Sequence, residues 1–322
     1  MQFLLALVLG LMTLQGTAHA GIPARVEAAF DAWLAENKVD GGVLVLLSKG
    51  EPIAEVERGI GADVPVELAS VGKSITALCI ASLVEDGVLT YDAPLTRYLG
   101  ADAPQATIAQ LLTHTAGLTV DSTQFRMPRW LGNPTPRHEE VTALVLARRN
   151  DPPGTHSYNN ENYALLGTII ARATGESYAR TCTEKVTDRL GLTSARLSPL
   201  TGAFGPWGGW QMSARDYATL HWAVYSGRVL LDADPFSYPH AETGYGAFYG
   251  LGTVFRPTGG SQNFWHFGAL CFRGGPNVGT FAVSWKAEFT LFAFYRACID
   301  VEAMIALDNA LAQAVLAAEP AQ

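Results

Sequence analysis

The chain is short of charge, and of positive charge in particular. Only 16% of its 322 residues are Asp, Glu, Lys or Arg, and 30 acidic residues outweigh 22 basic ones for a net charge of −8. A nucleic-acid partner would need a clustered cationic face against the phosphates, and nothing in this balance supplies one. No apolar run reaches the ~18 residues that a membrane-crossing helix requires, so no permanent span is expected. Four cysteines are too few for a disulfide scaffold at this length. None forms a C-x-x-C pair, and no His/Cys cluster has zinc spacing, so neither a metal nor a cofactor is expected. A Gly-x-Ser-x-Gly elbow is absent from the sequence, which removes the usual signature of an α/β-hydrolase with a Ser-His-Asp triad. Internal repeats and low-complexity linkers are absent too. What remains is 48% hydrophobic, enough for a packed core, in a chain of about two domains or one large domain with an insertion.

Residues 3–14 are almost wholly apolar, and Ala18-His19-Ala20 follows as a small-x-small cleavage pattern. One reading is a signal peptide over 1–20, leaving 21–322 as the mature domain in the periplasm or outside the cell. The other is a buried first helix. No Lys or Arg precedes the apolar run, so the α-amino group is the only positive charge there. Export would permit a disulfide, and Cys271 with Cys298 is the expected pair because both fall in the C-terminal strand region. Cys79 sits in an apolar helical pattern and reads as a packing residue.

Periodicity predicts a helix over 26–35, then a hairpin from the apolar run 43–47, the Lys49-Gly50-Glu51-Pro52 turn and the alternating stretch 53–57. A helix begins near Ser70 and stops at Gly87. From about 91 to 200 the pattern is mostly helical, broken by proline-rich loops. A helix over 212–225 precedes glycine-punctuated strands over 247–255, 263–272, 278–286 and 289–297, and residues 301–318 close the chain as an amphipathic helix. Strands at both ends with helices between them predict an α+β fold. One antiparallel sheet is flanked by N- and C-terminal helices, and a mostly helical subdomain is inserted over about 91–200.

Three short motifs could carry chemistry. Ser70-Val71-Gly72-Lys73 is the chain's one Ser-x-x-Lys, in a sequence with only five lysines. Three residues apart on a helix means one face, so the amine can reach the hydroxyl. Burial would lower the lysine pKa and make it a usable base for a weak nucleophile. Tyr158-x-Asn160 lies on a loop feeding a helix, where a phenol and an amide could complete a proton network. An overlapping Ser157-x-Asn159 offers a second register, and an Asn-rich turn capping a helix is the commoner origin of such a pattern. His266-Phe267-Gly268 falls within a strand, where a glycine lets a substrate backbone lie close and the next N–H, that of Ala269, bind an oxyanion. Each motif alone arises easily by chance.

In this order and context the three motifs resemble those of the serine β-lactamase and D-alanyl-D-alanine peptidase superfamily. The likeness is to the branch of class C β-lactamases, D-aminopeptidases and related esterases. Leu111-Leu-Thr-His-Thr-Ala-Gly-Leu118, Leu190-Gly-Leu-Thr-Ser-Ala-Arg-Leu197 and Gly208-Gly-Trp-Gln-Met-Ser-Ala-Arg-Asp216 are similar to supporting stretches of that superfamily. The resemblance runs from about residue 24 to the C-terminus and implies a β-lactamase/transpeptidase-like fold. It also implies that Ser70 is the acylated nucleophile, with Lys73 as its base or relay. Tyr158 would share the relay and protonate the leaving group. Asn160 would bind Lys73 and the substrate amide, and Ser70 and Ala269 would supply the oxyanion N–H groups. Its members act on small-molecule or peptide substrates without a cofactor.

Two departures shape the expected activity. β-Lactamases of that branch carry Lys-Thr-Gly where this chain has His266-Phe267-Gly268, and a His and a Phe bind a substrate carboxylate less well. Phe267 is expected to add apolar surface to the site, with Arg273 able to restore carboxylate binding. The segment between Tyr158 and His266 is also short. Both favour a peptidase, amidase or esterase with at most weak β-lactamase activity. The alternative is a penicillin-binding sensor or scaffold that is acylated without efficient turnover.

Overall fold

The computed structural model describes residues 21–227 and 234–317; the expected signal peptide lies outside them. Among the described residues eleven strands are formed: β1 (Gly42–Ser48), β2 (Glu51–Arg58), β3 (Val66–Glu67), β4 (Arg196–Leu197), β5 (Trp210–Met212), β6 (His240–Gly244), β7 (Ala247–Gly250), β8 (Thr253–Thr258), β9 (Ser261–Cys271), β10 (Asn277–Trp285) and β11 (Phe289–Tyr295). Eight of them build one antiparallel sheet in the order β2-β1-β11-β10-β9-β8-β7-β6, and β3-β5-β4 form a small second sheet. The N-terminal hairpin therefore joins the C-terminal strands through β1 against β11, with Gly42 opposite Tyr295 and Ser48 opposite Phe289. The expected α+β architecture holds, with the helical region inserted between the two halves of the sheet.

Strand periodicity explains why β1 and β11 are almost wholly apolar, with only Ser48 and Thr290 as polar residues. Successive side chains point to opposite faces, and both faces here are covered. Val43, Val45 and Leu47 join the core under the helical region, together with Phe292 and Phe294. Leu44 and Leu46, with Leu291, Ala293 and Tyr295, face a second core closed by the terminal helices Ile22–Glu36 and Val301–Leu316. Val26, Phe30 and Trp33 from the first helix meet Leu307 and Leu311 from the last. The Trp33 indole N–H donates to Ala303 O at 2.9 Å, so the pairing is directional as well as apolar.

Three expectations need correction. Cys79 does not merely pack: it is bonded to Cys182, with Cα atoms 5.1 Å apart, tying the helix Lys73–Glu85 to the end of the helix Tyr178–Cys182. The partners are 103 residues apart in sequence, a separation over which local pattern carries no signal. The other pair, Cys271–Cys298, forms as expected. The single strand expected over 247–255 is two, β7 and β8, because Leu251 and Gly252 both take left-handed φ angles of 53° and 79°. A Cβ at Gly252 would lie 2.7 Å from the Ser74 backbone, so this turn rests directly on the start of the helix Lys73–Glu85. Thirdly, the strand β5 takes Met212, and the helix there begins at Ala214, capped by the Ser213 hydroxyl.

Candidate active site

Ser70 sits in a tight 3-10 turn, Ala69–Gly72, that runs directly into the helix beginning at Lys73. The preceding Ala69 has φ of 51°, a conformation that disfavours a residue with a Cβ and that recurs at functional sites. The surrounding structure holds it there. The Leu68 N–H donates to Trp210 O at 2.9 Å, and Leu68 O accepts from the Thr280 hydroxyl of β10 at 2.9 Å. The turn is thus pinned between the small sheet and the large one.

Lys73 is fully buried, and its Nζ has three oxygen neighbours: Ser70 Oγ at 3.2 Å, Asn160 Oδ1 at 2.8 Å and Trp207 O at 2.8 Å. An ammonium would donate one hydrogen to each. A neutral amine would donate its two hydrogens to Asn160 and Trp207, which can only accept, and turn its lone pair to the Ser70 hydroxyl. Burial lowers the Lys73 pKa to about 7, with the Asp121 carboxylate opposing the shift. Both protonation states are therefore accessible near neutrality.

Asn160 opens the helix Asn160–Thr174 and links Lys73 to that carboxylate. Its Nδ2 donates to Thr123 Oγ1 at 3.1 Å, and the Thr123 hydroxyl donates to Asp121 Oδ1 at 2.6 Å. The competing register is resolved: Asn159 is the helix N-cap, accepting from Glu161 N–H and donating to Leu118 O and Val120 O. Glu161 is buried and paired with Arg148, which anchors the same loop from behind. Gly167, inside the helix, admits the Gly205–Gly208 segment: a Cβ there would lie 2.1 Å from Pro206 Cγ. That approach brings Trp207 O to Lys73.

Tyr158 lies over Lys73, its ring centroid 4.9 Å from Nζ. Tyr158 is 45% exposed as a residue, yet its phenol is desolvated by the surrounding protein. That desolvation raises the phenol above its ordinary value, while a hydrogen bond to Ser70 pulls the other way. The phenol is therefore protonated wherever Lys73 titrates.

The third motif lies on β9. Strand β8 pairs with β9 only as far as Trp265, opposite Val254, so beyond that point this edge of β9 has no β8 partner. Gly268 is buried against the Ala69–Gly72 turn that carries Ser70. A Cβ there would lie 2.3 Å from Thr280 Oγ1 and 2.9 Å from both Leu68 O and Ser70 N. His266 packs at the back of the site, 5.9 Å between ring centroids from both Tyr158 and Tyr249. Its Nδ1–H donates to Phe267 O at 2.6 Å, and burial with the nearby Lys73 charge lowers its pKa to about 3. It is a neutral imidazole.

Phe267 does not line the site. Alternation turns it to the opposite face, where it stacks on Phe281 with centroids 4.3 Å apart and packs against the terminal-helix core. The apolar wall beside Ser70 comes instead from Met127, Phe204, Trp207 and Leu270, around a cleft of about 100 Å³ that Tyr158, Asn160 and Ala269 also line. Arg273 stands exposed in the turn beyond β9. Ser70, Lys73, Tyr158, Asn160, Gly268 and Ala269 are thus brought together, with His266 behind them.

No pattern in the sequence singles out Asp121, Thr123 or Trp207. Asp121 and Thr123 act through one side-chain relay, and Trp207 through a backbone carbonyl that no side-chain pattern reveals.

Comparison with known proteins fits this geometry. Over 209 residues the chain is 31% identical to the esterase EstB of Burkholderia gladioli, covering 54% of this chain and 51% of that protein. It is 27% identical over 169 residues to the D-alanyl-D-alanine-carboxypeptidase/endopeptidase AmpH of Escherichia coli, covering 50% and 44%. The chain thus spans about half the length of these relatives. Its fold is that of the D-amino acid amidase from Ochrobactrum anthropi SV3, with a TM-score of 0.74 at 19% identity over 91% of this chain and 100% of that one. The profile of the Beta-lactamase family matches residues 26–285, a span that takes in Ser70, Tyr158 and Gly268 alike, and the chain belongs to that family.

Proposed function

We propose that the protein is a serine hydrolase that cleaves an uncharged ester or amide through an acyl-enzyme. The observation that carries this reading is Ser70 Oγ at 3.2 Å from a buried lysine amine whose pKa is about 7. Neutral Lys73 takes the Ser70 proton as Oγ attacks the substrate carbonyl carbon. The resulting oxyanion is received by the backbone N–H groups of Ser70 and Ala269, in a cleft that both residues line. Tyr158, a protonated phenol against Ser70, passes a proton to the departing alkoxide or amine, and Lys73 returns the balance to Tyr158. Asn160 holds Lys73 and offers its amide to the acyl side. Water then attacks the ester carbon, the same relay runs in reverse, and the acid leaves with Ser70 restored.

The surroundings favour small uncharged substrates. His266 is neutral where a cation would bind a carboxylate, and the wall of Met127, Phe204, Trp207 and Leu270 is apolar. The likeness to an esterase supports ester cleavage among the two bond types. An exported enzyme beginning at Gly21 accords with the Ala18-His19-Ala20 pattern, and no helix among the described residues is long and apolar enough to cross a membrane.

The test is purified wild type and Ser70→Ala against p-nitrophenyl butyrate, nitrocefin and a D-Ala-D-Ala peptide. Steady turnover of the ester, lost in the variant together with fluorophosphonate labelling at Ser70, is expected. Labelling at another serine would overturn the mechanism. A single stoichiometric burst without turnover would make the protein an acylated sensor instead.

A further inference from the structure

His114 makes an unusual pair of contacts with one loop. Its backbone oxygen accepts the Ser157 N–H at 2.8 Å, and its side-chain Nδ1 accepts the Asn159 N–H at 3.2 Å. The residue between those two amides is Tyr158. The imidazole also covers that phenol, with ring centroids 4.4 Å apart, and is itself boxed in by Tyr163 at 5.1 Å and Tyr249 at 4.8 Å.

Because Nδ1 accepts, the ring hydrogen sits on Nε2, and Nε2 is buried with no hydrogen-bond partner among the described residues. Leaving that N–H unpaired is costly. His114 also holds φ at 57°, outside the region a residue with a Cβ prefers. The φ value is that of a helix terminator, since the helix Ile108–Leu112 ends in a Schellman turn with Thr115 N–H donating to Gln110 O at 2.8 Å and His114 N–H to Leu111 O at 3.2 Å, whereas the unpaired Nε2–H has no such local role and follows if the ring must stand where Nδ1 meets the Asn159 amide. Burial and the charge of Lys73 keep its pKa well below the ordinary histidine value, so the acceptor is not lost to protonation near neutrality.

We propose that His114 is the positioning residue for Tyr158, fixing its hydroxyl against Ser70 by clamping the amides on either side of it and covering its ring. Through the loop it sets the geometry of proton transfer to the leaving group, and it does not itself touch substrate. This rests on Tyr158 being the proton donor in the hydrolase reading above. Proton relays are sensitive to such placement, since a shift of about 1 Å can cost ~10²-fold in rate.

Two substitutions separate the parts of the clamp. His114→Asn keeps an acceptor, because Oδ1 lies the same number of bonds from Cα as Nδ1, but removes the ring. His114→Phe keeps a ring and removes the acceptor. The backbone bond to Ser157 survives in both. His114→Phe should lower kcat by roughly 10- to 100-fold with KM little changed, and His114→Asn should recover most of it. Combined with Tyr158→Phe, the His114→Phe loss should nearly vanish, since the group being positioned is gone. Hydrogen exchange gives a readout independent of turnover: the Asn159 amide should exchange faster in His114→Phe while Ser157 stays protected.

Equal, additive losses in the wild-type and Tyr158→Phe backgrounds would overturn the proposal, as would an effect on KM alone. If His114→Phe does not fold, a His114→Asn loss as large as that of Tyr158→Phe would overturn it, and retained activity would sustain it. Absence of any Ser70-dependent turnover in wild type would instead sink the hydrolase reading, leaving the exchange result to judge the clamp.

Discussion

The space for a side chain at Gly268 is taken by the amide of Ser70: a Cβ built there would stand 2.9 Å from Ser70 N and 2.3 Å from Thr280 Oγ1. Glycine in a strand interior usually weakens it, and here it marks where one backbone must approach another. Gly268→Ala should therefore push β9 away from the nucleophile turn and separate Ala269 from Ser70. We expect kcat/KM for the ester to fall by ~10²-fold, the scale of a lost oxyanion donor, with KM affected far less. Thr280→Val would remove the hydroxyl that holds Leu68 O and should give a smaller loss. Near-wild-type kinetics for Gly268→Ala would show that the approach of the two backbones is not needed.

A second prediction concerns pH. In the proposed mechanism Lys73 acts as the free base, and burial has brought its pKa down from 10.5 to about 7. Activity should be lost as pH falls through about 7 and level off above about 8. Tyr158 is raised, so no falling limb from phenol ionisation should appear below pH 10. Lys73→Arg should abolish turnover at every pH, because a guanidinium does not deprotonate. A pH-independent rate between 5 and 8, measured as kcat/KM, would remove Lys73 as the base.

How far the sequence revealed this arrangement depends on whether a signal was local. Ser70 and Lys73 share one turn, so their spacing alone places them together, and the strand-helix-strand order followed from periodicity. The loop register at Asn159 and Asn160 was ambiguous because both are amides, and only contact with Lys73 separates them. Phe267 faces away from the site for a simple reason: alternation along β9 assigns His266 and Gly268 to one face and Phe267 to the other, although the motif presents all three as one unit. Trp207 was invisible because it contributes a carbonyl oxygen. The bond between Cys79 and Cys182 was missed because neither flanking sequence announces a partner a hundred residues away.

That disulfide supports a third prediction. Cys79 and Cys182 are both fully buried, whereas Cys271 and Cys298 are exposed. Mild reductant on the native protein should open Cys271–Cys298 first, with alkylation and mass spectrometry reporting the order. Replacing Cys79 and Cys182 together by Ala should destabilise the fold by about 2–5 kcal/mol, as expected for a long closed loop. Because that bond ties the helix beginning at Lys73 to the helical region, its loss should lower the denaturant midpoint more than loss of the exposed one. The reverse order would mean that the Tyr178–Cys182 helix is held by packing alone.

The last prediction concerns substrate charge. His266 occupies the position where the resembling β-lactamases carry a lysine, and its imidazole is neutral with a pKa near 3. Among the described residues no lysine or arginine lines this cleft, so its wall offers a substrate carboxylate no cationic side chain, and the wall beside Ser70 is apolar. Wild type should prefer p-nitrophenyl butyrate, which is uncharged, over nitrocefin, which carries a carboxylate. A His266→Lys variant should shift the ratio of their kcat/KM values towards nitrocefin by about ten-fold, equivalent to ~1.4 kcal/mol of transition-state preference. The same substitution places a second cation near Lys73, and a like charge disfavours the protonated amine. The acidic limb of the pH profile should therefore move below 7 in His266→Lys, a shift that altered packing alone would not produce. Wild-type preference for nitrocefin by ten-fold or more would show that charge at position 266 does not select the substrate, and that a cation elsewhere, such as the exposed Arg273, does so.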